Sequence, residues 1–355
     1  MPPPSPQTAP LILALQRLAA GERLGEALVE QAVGVLMTGE ATAAQSAGLL
    51  MGLRVQGESG EELAGAVRAL RRVMRRVELP AMAGPVIDTC GTGGGVVSTF
   101  NVSTAAAFVA VGAGARVAKH GNRSYTSRCG SADVLEALGI EVVVEAGAAA
   151  AMIARAGMAF LFAPAFHPAM KFVGPVRGEL GVPTVMNLIG PLANPAGVRR
   201  QVIGVADPDR APIVATALAR LGTEHAMVVH GTAGMDEVSP VGRTDVWEIR
   251  GHEITTWSID PEEFGHSIAD LRLLAGGEPG ANASRLSALL REPDADPDAK
   301  AVVVLNAGAA IYVAGLADSY PEGLRQASVA LDDGSAARAL DALVRAAGGP
   351  ASTSG

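Results

Sequence analysis

Hydrophobic positions in the N-terminal part of the chain repeat with the period of an α-helix. From residue 11 to about residue 78 we predict helices throughout. The clearest one begins at Ser59, because Glu62 follows three residues later, as in a capping box. Apolar residues then recur on one stripe of this helix: Leu63, Val67, Leu70, Met74 and Val77.

Arginines fall mostly on the other side of the same helix. They are Arg68, Arg71, Arg72, Arg75 and Arg76. Two interpretations are open: a phosphate-binding patch, or a solvated face whose positive charge suits a helix C-terminus. We favour the solvated face, because runs of charge usually face water.

From Pro85 onward, short aliphatic runs alternate with helical stretches. The predicted strands are Val86–Asp88, Arg116–Ala118, Glu141–Val144, Ala159–Phe162, Val202–Val205 and Ala226–Val229. The predicted helices between them are Val102–Val111, Ser131–Leu138, Ala148–Ala156 and Arg210–Leu221. Such alternation indicates an α/β domain with a largely parallel sheet.

The remaining pattern is less regular. Trp247 and Ile249 alternate with charged neighbours, which suggests an added strand. Val302–Leu305 fits either a late buried strand or the start of a helix, and a helix near Ala337–Ala347 closes the fold. A long bend, marked by Pro183, Pro191 and Pro195, could return the chain to the helical region.

Composition narrows the possible functions. At roughly 150 residues per domain, 355 residues indicate about two domains, and a hydrophobic share of 49% excludes disorder of the whole chain. The net charge of −8 argues against a protein that coats nucleic acid. An aromatic share of only 3% argues against a platform on which bases stack.

The cysteines and the chain ends indicate the compartment. Cys90 and Cys129 are too few for a disulfide scaffold or a four-cysteine zinc site. The start of the chain has no basic region, so we expect no signal peptide and a reducing cytoplasm. Residues 1–10 and 348–355 are expected to be frayed tails. The uncharged runs 89–115 and 180–198 are interrupted by glycine, hydroxyl residues or proline, so neither is a plausible membrane span.

A glycine loop follows the first predicted strand, in the run Asp88-Thr-Cys-Gly-Thr-Gly-Gly-Gly95, and Asn101-Val-Ser-Thr104 then opens a helix. Glycines let backbone N–H groups approach an anion, and a helix N-terminus adds further donors. Asn101 or Ser103 could cap that helix. The alternative is an ordinary tight turn. The loop lacks the Walker A lysine, and its glycine spacing is not the dinucleotide fingerprint.

A second polar segment follows the next strand: Lys119-His-Gly-Asn-Arg-Ser-Tyr-Thr-Ser127. It holds one of only three lysines in the chain, beside several hydroxyl donors, and Ser131 opens the helix that follows. Charge and many donors together suit a phosphorylated sugar. The alternative is a polar surface loop.

Two more segments carry candidate chemistry. Asp236 and Glu237 lie in a loop, where both carboxylates can turn to one Mg²⁺ that bridges to a phosphate; the alternative is a solvated acidic turn. Arg177 is a candidate for binding a carboxylate through its guanidinium group. His167 precedes a proline, and we interpret it as a structural helix cap and not as a ligand. The histidines His225, His230, His252 and His266 show no metal-binding spacing.

These motifs together resemble the anthranilate phosphoribosyltransferase family, in the family's order and over residues 11–346. The most specific ones are Lys119-His-Gly-Asn-Arg123 and the downstream Asp236-Glu-Val-Ser-Pro240. The others are Gly-Thr-Gly-Gly…Asn-x-Ser-Thr, Gly-Ser-Ala-Asp-x-Leu-Glu-Ala-Leu-Gly, Phe-His-Pro-Ala-Met and Asn-x-x-Gly-Pro-Leu-x-Asn-Pro.

The resemblance implies a fold and an activity. It implies a small all-helical domain, 11–82 with a returning segment at about 167–192, hinged to a large α/β domain with a mostly parallel sheet, 83–166 and 193–347. It implies a homodimer that transfers the phosphoribosyl group of 5-phosphoribosyl 1-diphosphate (PRPP) to anthranilate in tryptophan biosynthesis. Alternatives are a nucleoside phosphorylase of the same fold and a non-catalytic relative that binds nucleic acid.

The resemblance also implies site residues. PRPP would lie against Gly91, Gly94, Gly95, Thr99, Asn101, Val102, Ser103, Thr104, Lys119, His120, Gly121, Asn122, Arg123, Ser124, Tyr125, Thr126, Ser127 and Ser131. Anthranilate would contact Gly91, Asn122 and Arg177, and Mg²⁺ would be held by Ser103, Asp236 and Glu237. Lys119 would neutralise the leaving diphosphate, and His120 is a possible general base.

One position departs from the family pattern. The family loop usually reads Gly-Thr-Gly-Gly-Asp, and this chain has Gly95 in place of the acid. One carboxylate near the donor is therefore missing, and we expect altered Mg²⁺ dependence or weaker donor binding. Tyr125 and Thr126 replace smaller residues often found there, so the packing of this loop is expected to differ.

Overall fold

The N-terminal region is a group of four helices. The computed structural model describes residues 7–81, 84–96, 98–124 and 128–348. The helices are α1 Ala9–Ala19, α2 Glu26–Thr38, α3 Ala43–Gln56 and α4 Gly60–Val73. The predicted capping box begins α4: the Ser59 hydroxyl accepts the Glu62 N–H at 3.1 Å, and the Glu62 carboxylate accepts the Ser59 N–H at 2.8 Å.

The limits of this region differ slightly from the prediction. Helix α1 begins at Ala9, so the tail is shorter than 1–10, and Pro10 stands in the first turn, where proline is tolerated. Helix α4 ends at Val73, so Met74 and Val77 of the predicted stripe lie beyond it.

The arginine face of α4 is partly an interdomain contact. The Arg68 guanidinium donates to the Arg220 carbonyl at 2.7 Å, and Arg71 donates to the Leu192 carbonyl at 2.6 Å and 3.0 Å. Burial lowers the pKa of Arg71 to about 10. The solvated-face interpretation is therefore wrong for Arg71, whereas the Arg68 side chain keeps 40% exposure and Arg72, Arg75 and Arg76 are exposed.

Among the described residues, seven strands form one sheet in the order β3-β2-β1-β4-β5-β6-β7. They are β1 Val86–Gly91, β2 Arg116–Gly121, β3 Met158–Phe162, β4 Arg200–Gly204, β5 His225–Gly231, β6 Thr244–Arg250 and β7 Glu253–Ile259. The first five are parallel and the last two antiparallel, which confirms the predicted α/β class and the added strand.

Two strand assignments differ from the prediction. Glu141–Val144 is irregular, because β3 already occupies the place beside β2, and Val143 is 55% exposed. Strand β7 was not predicted. It pairs with β6 at the edge of the sheet, and its first four residues are exposed, so no alternating apolar face marks it.

Helices cover both faces of the sheet. They are α5 Val102–Gly112, α6 Ser131–Ala137, α7 Ala146–Ala156, α8 Ala163–Phe166, α9 Met170–Leu180, α10 Val185–Leu192, α11 Ala211–Arg220, α12 Pro279–Arg291, α13 Pro297–Ala314, α14 Tyr320–Asp332 and α15 Ser335–Ala346. Val302–Leu305 therefore belongs to a helix. That helix, α13, is long and apolar enough to cross a membrane, but 78% of it is buried inside the protein, as in a core helix.

In the part of the chain that the structure describes, one hydrophobic core lies on each side of the sheet. One packs α5, α13 and α15 against it. The other joins α1–α4 with residues of α9, α10 and α11, including Val173, Val185 and Val214. The chain therefore returns to the helical region through α9 and α10, as the prolines suggested.

Candidate functional site

The predicted motifs converge at one edge of the sheet. Strands β1, β2 and β5 are parallel, and their carboxyl ends lead to the glycine loop, to the segment after Gly121 and to Asp236. Ligands of open α/β sheets bind at this edge. The Gly93 N–H donates to the Asp236 carboxylate at 2.8 Å, although 143 residues separate the two in sequence.

Glycines allow this close approach. A Cβ atom at Gly91 would lie 2.8 Å from Asp236 Oδ2, and one at Gly95 would lie 3.1 Å from Asp236 Oδ1. At Gly204, at the end of β4, a Cβ would overlap the Asp236 carbonyl oxygen. Gly204 thus determines how deep the Asp236 backbone lies. The sequence offered no signal for it, because it lies outside every motif.

Glu237 reaches the N-terminus of α5, where its carboxylate accepts a hydrogen bond from the Ser103 backbone N–H. Burial, and then the neighbouring Asp236 charge, raise the pKa of Glu237 to about 8. Ser103, Asp236 and Glu237 are therefore brought together as predicted. Two carboxylates and a hydroxyl are hard oxygen donors, which fit Mg²⁺. Among the described residues, no group of three or more His, Cys, Asp or Glu could hold a metal, so such an ion would need further oxygens, as from a phosphate.

Lys119 lies buried beneath this cluster. It is 1% exposed, and its ammonium donates to the Thr89 carbonyl and, at 3.1 Å, to the Ser103 hydroxyl. Burial lowers the pKa of Lys119, while the charges of Asp88 and Glu237 oppose that shift. Its charge therefore reaches the site through Ser103, whereas the sequence analysis expected direct contact with the leaving group.

A buried carboxylate, that of Asp88, also lies beneath these site residues. Asp88 is 0% exposed and accepts the His120 backbone N–H at 3.1 Å and the Asn194 amide at 2.8 Å. The same amide group of Asn194 donates to the Ala118 carbonyl at 2.7 Å. Burial raises the pKa of Asp88. Asn194, the last asparagine of the Asn-x-x-Gly-Pro-Leu-x-Asn-Pro motif, thus ties β1 and β2 together.

The ring of His120 is engaged on both nitrogens. Its Nδ1 lies 3.1 Å from the Gly190 carbonyl, and its Nε2 lies 3.1 Å from Nε2 of His167. A carbonyl only accepts, so His120 carries its proton on Nδ1, and His167 must donate from Nε2. Burial holds the pKa of His120 at about 3 and that of His167 at about 4. His120 is therefore a neutral, buried positioning group, and the geometry does not support the general-base role that the sequence left possible.

We expect the free energy of unfolding to fall as the pH drops from 6.5 toward 4. Both histidines stay neutral in the folded protein, whereas an unfolded histidine titrates near pH ~6.5, so unfolding takes up protons below that pH. The stability from each is complete above pH ~6.5 and is lost at about 1.4 kcal/mol per pH unit on acidification. Urea unfolding of the wild type and of His167→Gln across this range checks it. The variant should show the shallower dependence, and parallel curves would contradict the assignment.

The turn before α5 has an unusual backbone. Asn101 adopts a left-handed conformation, with φ 54°, and is the N-cap residue, but its side chain does not cap the helix. It donates instead to the Cys129 carbonyl at 3.3 Å. Val102 and Thr104 are fully buried, and the Thr104 N–H donates to the Asn101 carbonyl. Neither the hydroxyl nor the N–H of Thr104 is open to a ligand, contrary to expectation.

The segment after β2 folds back on α6. The Arg123 guanidinium pairs with Asp133 at 3.3 Å and with Glu136, so its charge points along α6. The Asp133 carboxylate also accepts the Ser124 N–H at 3.2 Å. Gly121, Asn122 and Ser124 are half-buried, and Ser131 is the first residue of α6. Tyr125, Thr126 and Ser127 lie outside the described residues.

The predicted anthranilate contacts come from different parts of the fold. Gly91 ends β1, and Asn122 follows β2. Arg177 is half-buried in α9, a helix that begins three residues after His167. The contact between His167 and His120 therefore joins the start of the returning segment to the end of β2.

Family profiles match nearly the whole chain. One, described as glycosyl transferase family, helical bundle domain, matches residues 13–74, and another, glycosyl transferase family, a/b domain, matches residues 83–337. The anthranilate phosphoribosyltransferase of Rubrobacter xylanophilus is 50% identical over 334 residues, which cover 94% of this chain and 96% of that protein. That of Herpetosiphon aurantiacus is 46% identical over 315 residues, covering 88% and 92%.

Solved structures agree with these relatives. The crystal structure of anthranilate phosphoribosyltransferase from Thermus thermophilus has a TM-score of 0.88 and 41% identity, covering 94% of this chain and 99% of that one. The Saccharomyces cerevisiae enzyme in complex with PRPP and Mg has a TM-score of 0.86 and 29% identity, covering 96% and 98%. A second yeast structure contains 4-fluoroanthranilate, with a TM-score of 0.84, 28% identity and the same coverage.

Proposed function

The chain belongs to the anthranilate phosphoribosyltransferase family, and from that premise we propose that it transfers the phosphoribosyl group of PRPP to anthranilate in tryptophan biosynthesis. The products are N-(5-phosphoribosyl)anthranilate and diphosphate. The observation that carries the proposal is the convergence of the glycine loop, Lys119 and the Asp236–Glu237 pair at one sheet edge.

PRPP would lie between the glycine loop and the segment after β2. The glycines bring backbone N–H groups to its charged oxygens, and the N-terminus of α5 adds positive potential there. The donor residues implied by the family resemblance stand as part of this proposal, with two qualifications. Thr104 contributes through packing, and the guanidinium of Arg123 is held by Asp133 and Glu136.

The bond that breaks joins C1 of the ribose to diphosphate, and the bond that forms joins C1 to the anthranilate nitrogen. The transition state is oxocarbenium-like, so stabilising the leaving group matters more than activating the nucleophile. An aromatic amine is neutral at pH ~7, so attack needs no strong base beforehand, and the proton that the nitrogen loses after attack passes to the released diphosphate or to water. Arg177 would grip the anthranilate carboxylate and aim the amine at C1, which is a positioning effect.

Ser103, Asp236 and Glu237 would hold Mg²⁺. The ion, when bound, supplies positive charge to the diphosphate. The protein's own part is to present Ser103 by its bond to Lys119 and to hold Asp236 by its bond from the Gly93 N–H.

We also infer that the protein is a cytoplasmic homodimer. The family resemblance supports the dimer, and a chain with only two cysteines, Cys90 and Cys129, suits a reducing compartment. Leu13 and Val55, on α1 and α3, are 43% and 81% exposed, so the helical domain has apolar surface to bury. Light scattering on the purified protein distinguishes one copy from two.

One assay tests the activity. Purified protein, Mg²⁺, PRPP and anthranilate are mixed, and the loss of anthranilate fluorescence is followed. Transfer should require all components. Phosphorolysis of a nucleoside without transfer would favour the phosphorylase alternative, and salt-sensitive DNA binding without transfer would favour the nucleic-acid-binding one.

Gly95→Asp should change the Mg²⁺ dependence. Its Cβ would lie 3.1 Å from Asp236 Oδ1, so a second carboxylate would stand beside the first. We expect half-maximal activity at about threefold to tenfold lower Mg²⁺, because more ligand charge strengthens cation binding. Gly95→Asn, which has the same size without the charge, is the control. Identical Mg²⁺ titrations for the wild type and the Asp variant would refute the expectation.

A further inference from the structure

Two buried asparagines of the C-terminal helices reach two parts of the site. Asn282 in α12 and Asn306 in α13 are each 3% exposed, and neither belongs to a motif that the sequence analysis singled out. We propose that both are positioning residues for the transfer reaction: Asn282 for the donor turn, residues 101–103, and Asn306 for the acidic pair, Asp236 and Glu237. The proposal rests on the proposed function.

Asn282 anchors the turn that opens α5. Its amide donates to Asn101 Oδ1 at 2.9 Å. Asn101 is the one residue other than glycine, among those described, with a positive φ. Such a conformation is costly for a residue with a side chain and persists only where its surroundings hold it. The Asn282 amide and the Cys129 carbonyl each form a hydrogen bond with the Asn101 side chain, and together they stabilise this conformation.

The same asparagine fixes the strap, residues 274–277, that pairs with the chain before the turn. The Phe100 N–H donates to the Leu274 carbonyl at 3.1 Å, and the Gly276 N–H donates to the Ser98 carbonyl at 2.8 Å. Asn282 Oδ1 accepts the Gly277 N–H at 2.7 Å. One side chain thus joins the strap to the donor turn.

Asn306 holds the residue that follows Glu237. Its Oδ1 accepts the Val238 N–H, and its amide donates to the Val238 carbonyl, each at 2.9 Å. The amide also donates to the Val302 carbonyl within α13. Both backbone polar groups of Val238 are therefore paired with one buried side chain. This pairing fixes the backbone immediately after the acidic pair.

An Asn→Asp substitution keeps the hydrogen bond that each side chain accepts and removes the one that it donates. In Asn282→Asp and in Asn306→Asp alike, the carboxylate can still accept the backbone N–H but can no longer donate. It would face the Asn101 oxygen in the first case and the Val238 carbonyl in the second. The two variants share chemistry and burial and differ only in which part of the site they touch, so each is the matched control of the other.

The test combines binding and kinetics. Asn282→Asp should weaken PRPP binding, measured by calorimetry with Mg²⁺ and without anthranilate, by about tenfold or more, and added Mg²⁺ should not restore it. Asn306→Asp should raise the Mg²⁺ concentration needed for half-maximal activity by about tenfold. The activity of this variant should return to the wild-type value at saturating Mg²⁺. The KM for anthranilate should stay within about twofold of the wild-type value in both. Ser284→Ala, which removes an exposed hydroxyl on α12, should change nothing.

Other outcomes decide against one claim or the other. A lower melting temperature with wild-type PRPP affinity and Mg²⁺ dependence would make the asparagines merely structural and overturn this proposal. If an Asp variant does not fold, the Ser variant at the same position takes its place, with the same expectations. A wild type that binds PRPP but transfers nothing would overturn the proposed function alone, because the calorimetry still tests Asn282 and a calorimetric Mg²⁺ titration with PRPP still tests Asn306.

Discussion

Lys119→Ala is expected to lower turnover about 100-fold or more: its charge acts on the leaving group through Ser103, and removing one oxyanion-hole donor, the comparable loss, typically costs about 2.7–4 kcal/mol in the barrier. The ammonium is the buried positive charge under the glycine loop, and it holds the Ser103 hydroxyl at 3.1 Å. Without it, Ser103 loses a donor and the carboxylates of Asp88 and Glu237 lose the cation that compensates them. Leaving-group stabilisation should therefore suffer more than substrate binding.

Two further variants separate the effect of the Lys119 charge from the effect of its packing. Lys119→Met keeps most of the volume of the side chain and removes the charge, so it should be as inactive as Lys119→Ala while retaining more of the melting temperature. Lys171→Ala removes an exposed lysine of α9 and should leave turnover unchanged. Steady-state rates at saturating substrates give the comparison. A loss of less than threefold in Lys119→Ala would remove Lys119 from this role.

Glu237→Gln is expected to lower turnover by about two orders of magnitude or more, because it removes a charged oxygen from the cation site. The same variant should be more stable than the wild type in the absence of metal. Burial and Asp236 raise the pKa of Glu237 to about 8, above the ordinary 4.5. A raised pKa contributes stability at low pH that is lost as the pH rises through about 8. Glutamine resembles the protonated acid and escapes that loss.

Melting curves without Mg²⁺ and rates with it measure both effects. The difference in melting temperature between Glu237→Gln and the wild type should grow from about pH 5 to about pH 8.5. Glu141→Gln, at an exposed position, is the control and should match the wild type in both measurements. A destabilised Glu237→Gln protein, or one with wild-type turnover, would show that the carboxylate serves the structure and not the cation.

Local sequence was enough to predict those parts of this protein that depend on neighbouring residues. Ser59 and Glu62 predicted a capping box that the structure contains. Short aliphatic runs predicted the five parallel strands, because buried parallel strands are apolar on both faces. Strand β7 was not predicted, because an exposed edge strand needs no such apolar pattern.

The roles of the charged and polar residues could be predicted less well from the sequence. Arg68 and Arg71 carry the same local pattern as the exposed arginines beside them, yet they donate to carbonyls of α11 and α10. His120 stands beside Lys119 in a polar motif, but its ring is buried against Gly190 and His167. Side-chain direction at the end of a strand depends on what packs above it, and no local pattern encodes that.

The fold class, the family and the order of the motifs could be predicted from the residues alone, because periodicity, caps and glycine loops are properties of short segments. Which groups meet depends on how the chain packs in three dimensions. Gly93 and Asp236 are 143 residues apart, and Asn101 and Asn282 are 181 apart, yet each pair is hydrogen-bonded. Contacts at such separations follow from how the strands are ordered in the sheet and how the last helices pack on it. Burial and the exclusion of water then determine which charges stay ionised.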